Sequence, residues 1–246
     1  MSQVVLVTGA SRGIGRGLVT HYLARPNTTV IGTVRDTTSA NAKQLDSLQK
    51  ADGSRLILAT YVVDSPTSAA EAVSEIQTRH GISHLDLVIA NAGICDHWGP
   101  VSEATDADVV SHFEVNTLGL LRLFRAVAPL LQNAPTPKFV YISTFLASIG
   151  SIGQLPSLTG PYGMSKAAGN FMIKKIHAEN EHLITLSIDP GLVQTDLGDR
   201  AAQFYGLEKA PVTLEQSVRG ITTQIDKVDK STSGSFVNAQ GENVAW

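Results

Sequence analysis

Short aliphatic and β-branched runs alternate with longer amphipathic stretches along the whole chain. The runs QVVLVT (3–8), TTVIGTV (28–34), RLILATYVV (55–63), LDLVIA (85–90), KFVYIS (138–143), ITLSID (184–189) and GSFVNA (234–239) read as strands. Between them GLVTHYLAR, SAAEAVSEIQTRH, VNTLGLLRLFRAVAPLL and KAAGNFMIKKIHAE carry apolar residues at helical spacing. The strands are nearly continuous apolar runs, the pattern of parallel strands covered on both faces. The expectation is an α/β fold: one doubly wound Rossmann-type domain over residues 1–246, a seven-stranded parallel sheet flanked by helices. No Pro/Gly/Ser linker or repeat divides it. The segments 145–161 and 192–212 read as long loops after strands, where ligands bind in open α/β sheets.

Composition narrows the function. Hydrophobic residues make up 43% and charged residues 17% of the 246, enough apolar material for a sizeable core. A net charge of −3 without a basic run gives no electrostatic case for nucleic acid or an anionic membrane. No run suits a membrane span and the first residues lack a signal-peptide pattern, so a cytoplasmic protein is expected. The single cysteine, Cys95, cannot form an internal disulfide. His80 and His84 are four apart but cross a glycine turn, so no metal site is expected.

VTGASRGIG (7–15) sits between the first strand and the first helix, with Gly9, Gly13 and Gly15 spaced for a tight turn against a pyrophosphate at a helix N-terminus. The second strand ends in TVRD, where a dinucleotide's adenosine ribose would lie. Arg35, with Arg12 in the glycine loop, suits a 2′-phosphate and favours NADP(H) over NAD(H). Asp36 as a ligand of the ribose, with Arg35 merely solvated, is the alternative. In YGMSK, Tyr162 and Lys166 are four apart and aim at one point if the segment is helical.

These motifs, with ANAG (90–93), VNTLG (115–119), a Ser/Thr pair ending the fifth strand and DPGLVQTD (189–196), stand in the order of the short-chain dehydrogenase/reductase family, which the whole chain resembles. FVYIST, the long loop before the tyrosine and FVNAQGENVAW are similar to sniffer-type carbonyl reductases and fungal norsolorinic acid ketoreductase-like proteins, which implies secondary metabolism. The resemblance implies NADPH-dependent reduction of an aromatic or polyketide-like ketone. The alternatives are oxidation of a lipophilic secondary alcohol, or a cofactor-binding regulatory protein without turnover.

The resemblance makes Tyr162 the proton donor, with Lys166 holding the nicotinamide ribose and Asn116 holding a water in the proton relay. It implies that Thr144, or in second place Ser143, polarises the substrate carbonyl. Thr144 lies eighteen residues before Tyr162, which implies an insertion in the intervening loop. Ser148 is a further hydroxyl there. The family's cofactor contacts fall on Gly9, Ser11, Arg12, Gly13, Ile14, Gly15, Arg35, Asp64, Asn91, Gly93, Tyr162, Lys166, Val193 and Thr195. A phenol of pKa about 10 seldom ionises near neutrality, and the lysine ammonium and an oxidised nicotinamide are expected to lower it. Cys95 is expected to pack rather than react. Trp98, Phe145, Leu146, Leu155, Phe204 and Tyr205 are expected to rim an apolar pocket. The helical stretches beginning at 115 and 166 correspond to those through which many relatives form dimers and tetramers, so a homo-oligomer is implied.

Overall fold

Seven parallel strands form one sheet in the order β3-β2-β1-β4-β5-β6-β7. The structure, a computed structural model, describes residues 3–154 and 158–246. The strands are β1 (Gln3–Thr8), β2 (Thr28–Val34), β3 (Arg55–Thr60), β4 (Leu87–Ala90), β5 (Lys138–Ile142), β6 (Ile184–Asp189) and β7 (Ser235–Asn238). The helices are α1 (Gly13–Leu23), α2 (Ala40–Asp46), α3 (Ser68–His80), α4 (Asp106–Phe113), α5 (Gly119–Gln132), α6 (Gly160–Glu179), α7 (Asp196–Phe204) and α8 (Leu214–Lys227).

Alternation along each strand builds two cores. In β1, Val4 and Leu6 join the residues of α3, α5 and α6 on one face, while Val5 and Val7 join those of α1, α2 and α8 on the other. The chain reverses direction across the sheet between β1 and β4, so the loops after these two strands open a crevice at the carboxyl edge.

Three expectations change. The third strand stops at Thr60 rather than continuing to 63, because its only neighbour, β2, ends opposite it at Val34. The helical stretch expected from 115 begins at Asp106 as α4 and passes through a π-helical turn, Glu114–Leu118, before α5. The segment 192–212 is not simply a loop: it contains α7, whose first turn is acidic and whose N-cap, Thr195, accepts the Gly198 N–H at 3.1 Å. Segment 145–161 holds two single 3₁₀ turns, Phe145–Ala147 and Ile149–Ser151, and the start of α6. Leu155 lies outside the described residues.

Candidate active site

The β1–α1 turn brings backbone to backbone. Gly9 and Gly13 have positive φ (68° and 52°), and a Cβ on Gly15 would collide with the Gly9 carbonyl oxygen. The neighbouring β4 turn is tied to it. The Thr8 hydroxyl accepts the N–H groups of Asn91 and Ala92, each at 3.0 Å, and the Asn91 amide donates to the Thr8 carbonyl at 2.8 Å. Asn91 therefore braces the glycine turn. No side chain caps α1, whose N-cap residue is Arg12, so its first N–H groups are suited to an anion. Ser11 and Ile14 stand in this turn, half-exposed.

At the end of β2 both Arg35 and Asp36 are exposed. The Asp36 carboxylate accepts the Thr38 N–H at 2.7 Å and the Thr38 hydroxyl at 2.6 Å, which hold it below the usual carboxylate range. Arg12 pairs with Asp196 of α7 at 2.7 Å, both side chains well exposed. Asp64 is an exposed residue four positions beyond β3, its carbonyl accepting from Arg122 at 3.4 Å.

Tyr162 and Lys166 lie one turn apart on α6, as their spacing predicts, with the Lys166 Nζ 5.9 Å from the Tyr162 ring centre. Lys166 is buried, donates to the Ile142 carbonyl at 2.8 Å and lies 4.6 Å from the centre of the Tyr141 ring. Burial lowers its pKa to about 7, against a smaller opposing effect of Cys95.

The Tyr162 phenol is shifted upward by its protein surroundings. Burial, with the Cys95 and Asp189 charges, pushes its pKa above 10, and a hydrogen bond with Thr144 only partly opposes this. On balance the protein's own groups leave it raised, with the Thr144 hydrogen bond too small to offset burial.

The two hydroxyls at the end of β5 part ways. Thr144 shares its hydrogen bond with Tyr162, whereas the buried Ser143 hydroxyl donates to Asn170 Oδ1 of α6 at 2.7 Å. Ser148 is buried, and its hydroxyl finds no hydrogen-bond partner among the described residues.

Asn116 sits in the π-helical turn, and its side chain makes three hydrogen bonds. Oδ1 accepts the Ile94 N–H at 2.9 Å, and Nδ2 donates to the Ile94 carbonyl at 2.9 Å and to the Ser165 hydroxyl at 3.0 Å. It locks the 91–95 loop onto α6. Both of its amide N–H groups are used, and Oδ1 keeps a lone pair that can accept from a water. Gly93 is required there, because a Cβ would lie 2.9 Å from Asn116 Oδ1 and 3.4 Å from the Lys166 Nζ.

Val193 is buried and bridges to Val212. The Thr195 hydroxyl donates to the Val193 carbonyl at 3.2 Å and caps α7. Its methyl group would lie 3.2 Å from a Cβ on Gly13, which puts α7 against the glycine turn.

Aromatic residues meet over this edge. The Trp98 and Phe204 ring centres are 5.5 Å apart, and those of Phe204 and Tyr205 are 5.6 Å apart. Arg200 of α7 reaches Asp96 at 3.3 Å, fastening the same helix to the 91–99 loop. Phe145 and Leu146 form the turn after Thr144. Cys95 is 1% exposed and its thiol is pushed up to about 12 by burial, so it is a packing residue. Thr8 and Asn170 escape a reading by motif, and Asp189, though it opens DPGLVQTD, is given no role by it. Their partners are distant in sequence, and only the T-G spacing hints at Thr8.

A doubly wound sheet whose glycine turn and tyrosine–lysine pair meet at one carboxyl edge defines an oxidoreductase of the dinucleotide-binding type. The chain belongs to the short chain dehydrogenase family, whose profile matches residues 3–205. It is 43% identical over 246 residues to the norsolorinic acid ketoreductase of Dothistroma septosporum, covering 98% of this chain and 91% of that one. It is 42% identical to the norsolorinic acid ketoreductase of Emericella nidulans over 250 residues, covering 99% and 93%. Among solved structures, the NADPH-bound carbonyl reductase from chicken fatty liver superposes with a TM-score of 0.87 at 28% identity, covering 100% and 99% of the two chains. The carbonyl reductase Sniffer of D. melanogaster shares the fold, with a TM-score of 0.83 at 24% identity and full coverage of both chains. Among the described residues no helix is long and apolar enough to cross a membrane, and no cluster of three metal-ligating side chains occurs.

Proposed function

We propose that the protein is an NADPH-dependent ketoreductase that reduces an aromatic or polyketide-like ketone. The observation that carries this reading is the convergence of the Tyr162 phenol, the Thr144 hydroxyl and the buried Lys166 at the end of β5. The glycine turn and the uncapped α1 suit a pyrophosphate. Arg35 favours a 2′-phosphate, since Asp36 is engaged by Thr38. Arg12 can join it, because an exposed pair such as Arg12–Asp196 contributes little, roughly 0–1 kcal/mol, and is readily exchanged.

NADPH, when bound, supplies the hydride. Thr144 holds the substrate oxygen by hydrogen bonding, and Tyr162 donates the proton to that oxygen. Thr144's methyl group and stiff χ1 make its hydroxyl direction specific. The phenol's raised pKa keeps it protonated, which suits a donor in the reductive direction. Lys166, with a pKa of about 7, can return a proton near neutrality and holds the ribose. Trp98, Phe204 and Tyr205 give the entrance an aromatic wall, which suits a flat substrate. The names of the ketoreductases at 42–43% identity support the same substrate class.

The test is NADPH and NADH oxidation, followed by absorbance, over aromatic diketones, quinones, polycyclic ketones and small aliphatic ketones. Turnover with NADPH on the aromatic set, lost in Tyr162→Phe, is expected. Tight NADPH binding without turnover on any of them would favour the regulatory alternative.

A further inference from the structure

Asp189 is the last residue of β6 and stands directly before Pro190 and Gly191. Its Oδ1 accepts the N–H of Phe145 at 2.9 Å, across 44 positions of sequence, and its carboxylate also accepts the N–H of Gly191. One side chain thus bridges the turn after β5 to the turn after β6. The first turn carries Thr144 and the second leads to Val193 and Thr195.

The Phe145 N–H belongs to the peptide unit that follows Thr144. Fixing that unit restrains ψ of Thr144, which is extended here at φ −163° and ψ 149°, and so steadies the backbone from which its hydroxyl projects. Of the other ties nearby, the Ser143 N–H to the Ile188 carbonyl at 2.7 Å lies on the strand side, and the Ala147 N–H to the Thr144 carbonyl at 3.0 Å closes the 3₁₀ turn within the segment itself. The Leu146 N–H reaches the Thr144 hydroxyl at only 3.3 Å, a long and weak contact. The Phe145 bond is therefore what ties this peptide, and the local turn it opens, to the end of β6.

We propose that Asp189 is a positioning residue: its carboxylate clips the Thr144–Phe145 peptide to the end of β6 and thereby holds the Thr144 hydroxyl against Tyr162. The proposal rests on the reading of Thr144 as the hydroxyl that holds the substrate carbonyl. A carboxylate suits the task because it is acceptor-only and can receive two N–H groups from two different turns. Burial raises its pKa while the two N–H bonds oppose this, so the bonds sustain the acceptor form. Its charge also acts on Tyr162, which agrees with its place beneath the reacting edge.

The experiment uses the full chain. Hydrogen–deuterium exchange of the 143–148 segment, NADPH binding by fluorescence and kcat for aromatic ketone reduction are measured for Asp189→Ala, Asp189→Asn, Thr144→Ala and the Asp189→Ala/Thr144→Ala double variant. Asp189→Ala should speed exchange at Phe145 and lower kcat by roughly 10–100-fold, with NADPH affinity changed less than kcat. Asp189→Asn should recover part of the loss, because one acceptor oxygen remains. In the Thr144→Ala background the alanine change should cost less than about threefold more, since residues acting through one another are not additive. Asp189→Leu, similar in size and without an acceptor, replaces the alanine variant should that fail to fold. Unchanged exchange at Phe145, or full multiplicative losses in the double variant, would overturn the proposal. If Thr144→Ala keeps its full kcat, the reading of Thr144 fails and the functional half of the proposal falls with it. Unchanged exchange alongside a Thr144→Ala loss would sink Asp189 alone.

Discussion

The Ser143 hydroxyl donates to Asn170 Oδ1 at 2.7 Å, beneath the sheet edge at which its neighbour Thr144 meets Tyr162. Two adjacent hydroxyls therefore have different tasks. Ser143→Ala should cost roughly 1–2 kcal/mol in urea denaturation, because it leaves a buried acceptor unpaired, and should leave kcat within about threefold. Thr144→Ala should show the reverse: little change in the unfolding midpoint and a kcat loss of about 100-fold, with Thr144→Ser recovering most of it.

Tyr162→Phe removes the proton donor while keeping the ring in its packing. Carbonyl reduction should fall by about 10²–10⁴-fold, with NADPH affinity near that of the parent protein. Steady-state kinetics alongside fluorescence titration separates the two quantities. A variant that retains half its turnover would remove Tyr162 from the mechanism.

Lys166 makes stability depend on pH. Its pKa falls from 10.5 in the unfolded chain to about 7 in the folded one, so between these values the unfolded chain binds the extra proton and stability rises with pH. The urea midpoint should therefore climb from pH 7 to pH 9. Above about 10 the trend reverses, because Tyr22, Tyr61, Tyr141 and Tyr162 have raised pKa values and ionise first in the unfolded chain. Lys166→Met should flatten the rise between 7 and 9 and abolish turnover.

Arg35→Ala should raise the KM for NADPH about tenfold and leave that for NADH nearly unchanged, since only NADPH carries the 2′-phosphate. Added salt should weaken NADPH binding to the parent protein and have less effect on the variant, because the contact is solvent-exposed. Equal effects on both cofactors would return the role to Asp36.

Cys95 gives a negative control. With 1% exposure and a thiol pushed up to about 12, it should resist thiol reagents at pH 7 until the protein unfolds. Rapid labelling of the native protein would show that the 91–99 loop opens on its own.

Local pattern was sufficient for most of the framework. The apolar runs at 3–8, 28–34 and 184–189 coincide with β1, β2 and β6, and the amphipathic run 68–80 coincides with α3. A strand buried on both faces, or a helix with one apolar stripe, writes its periodicity into neighbouring residues. The glycine turn and the Tyr162–Lys166 spacing were legible for the same reason, since each acts within one turn of chain. Helix α7 was not, because its identity depends on the Thr195 cap and on packing against Trp98 and Asp96.

The site's finer order came from contacts that no local pattern encodes. That Thr144 and not Ser143 meets Tyr162 goes with the Ser143 bond to Asn170, 27 residues away, and the Phe145–Asp189 bond across 44. The engaged amide of Asn116 depends on Ile94, and the phenol's pKa depends on how much water the folded chain excludes from Tyr162 and Lys166 alike. Motif spacing names the groups that can react. Hydrogen-bond direction and desolvation, which exist only once distant segments are packed, decide which of them do and in what protonation state.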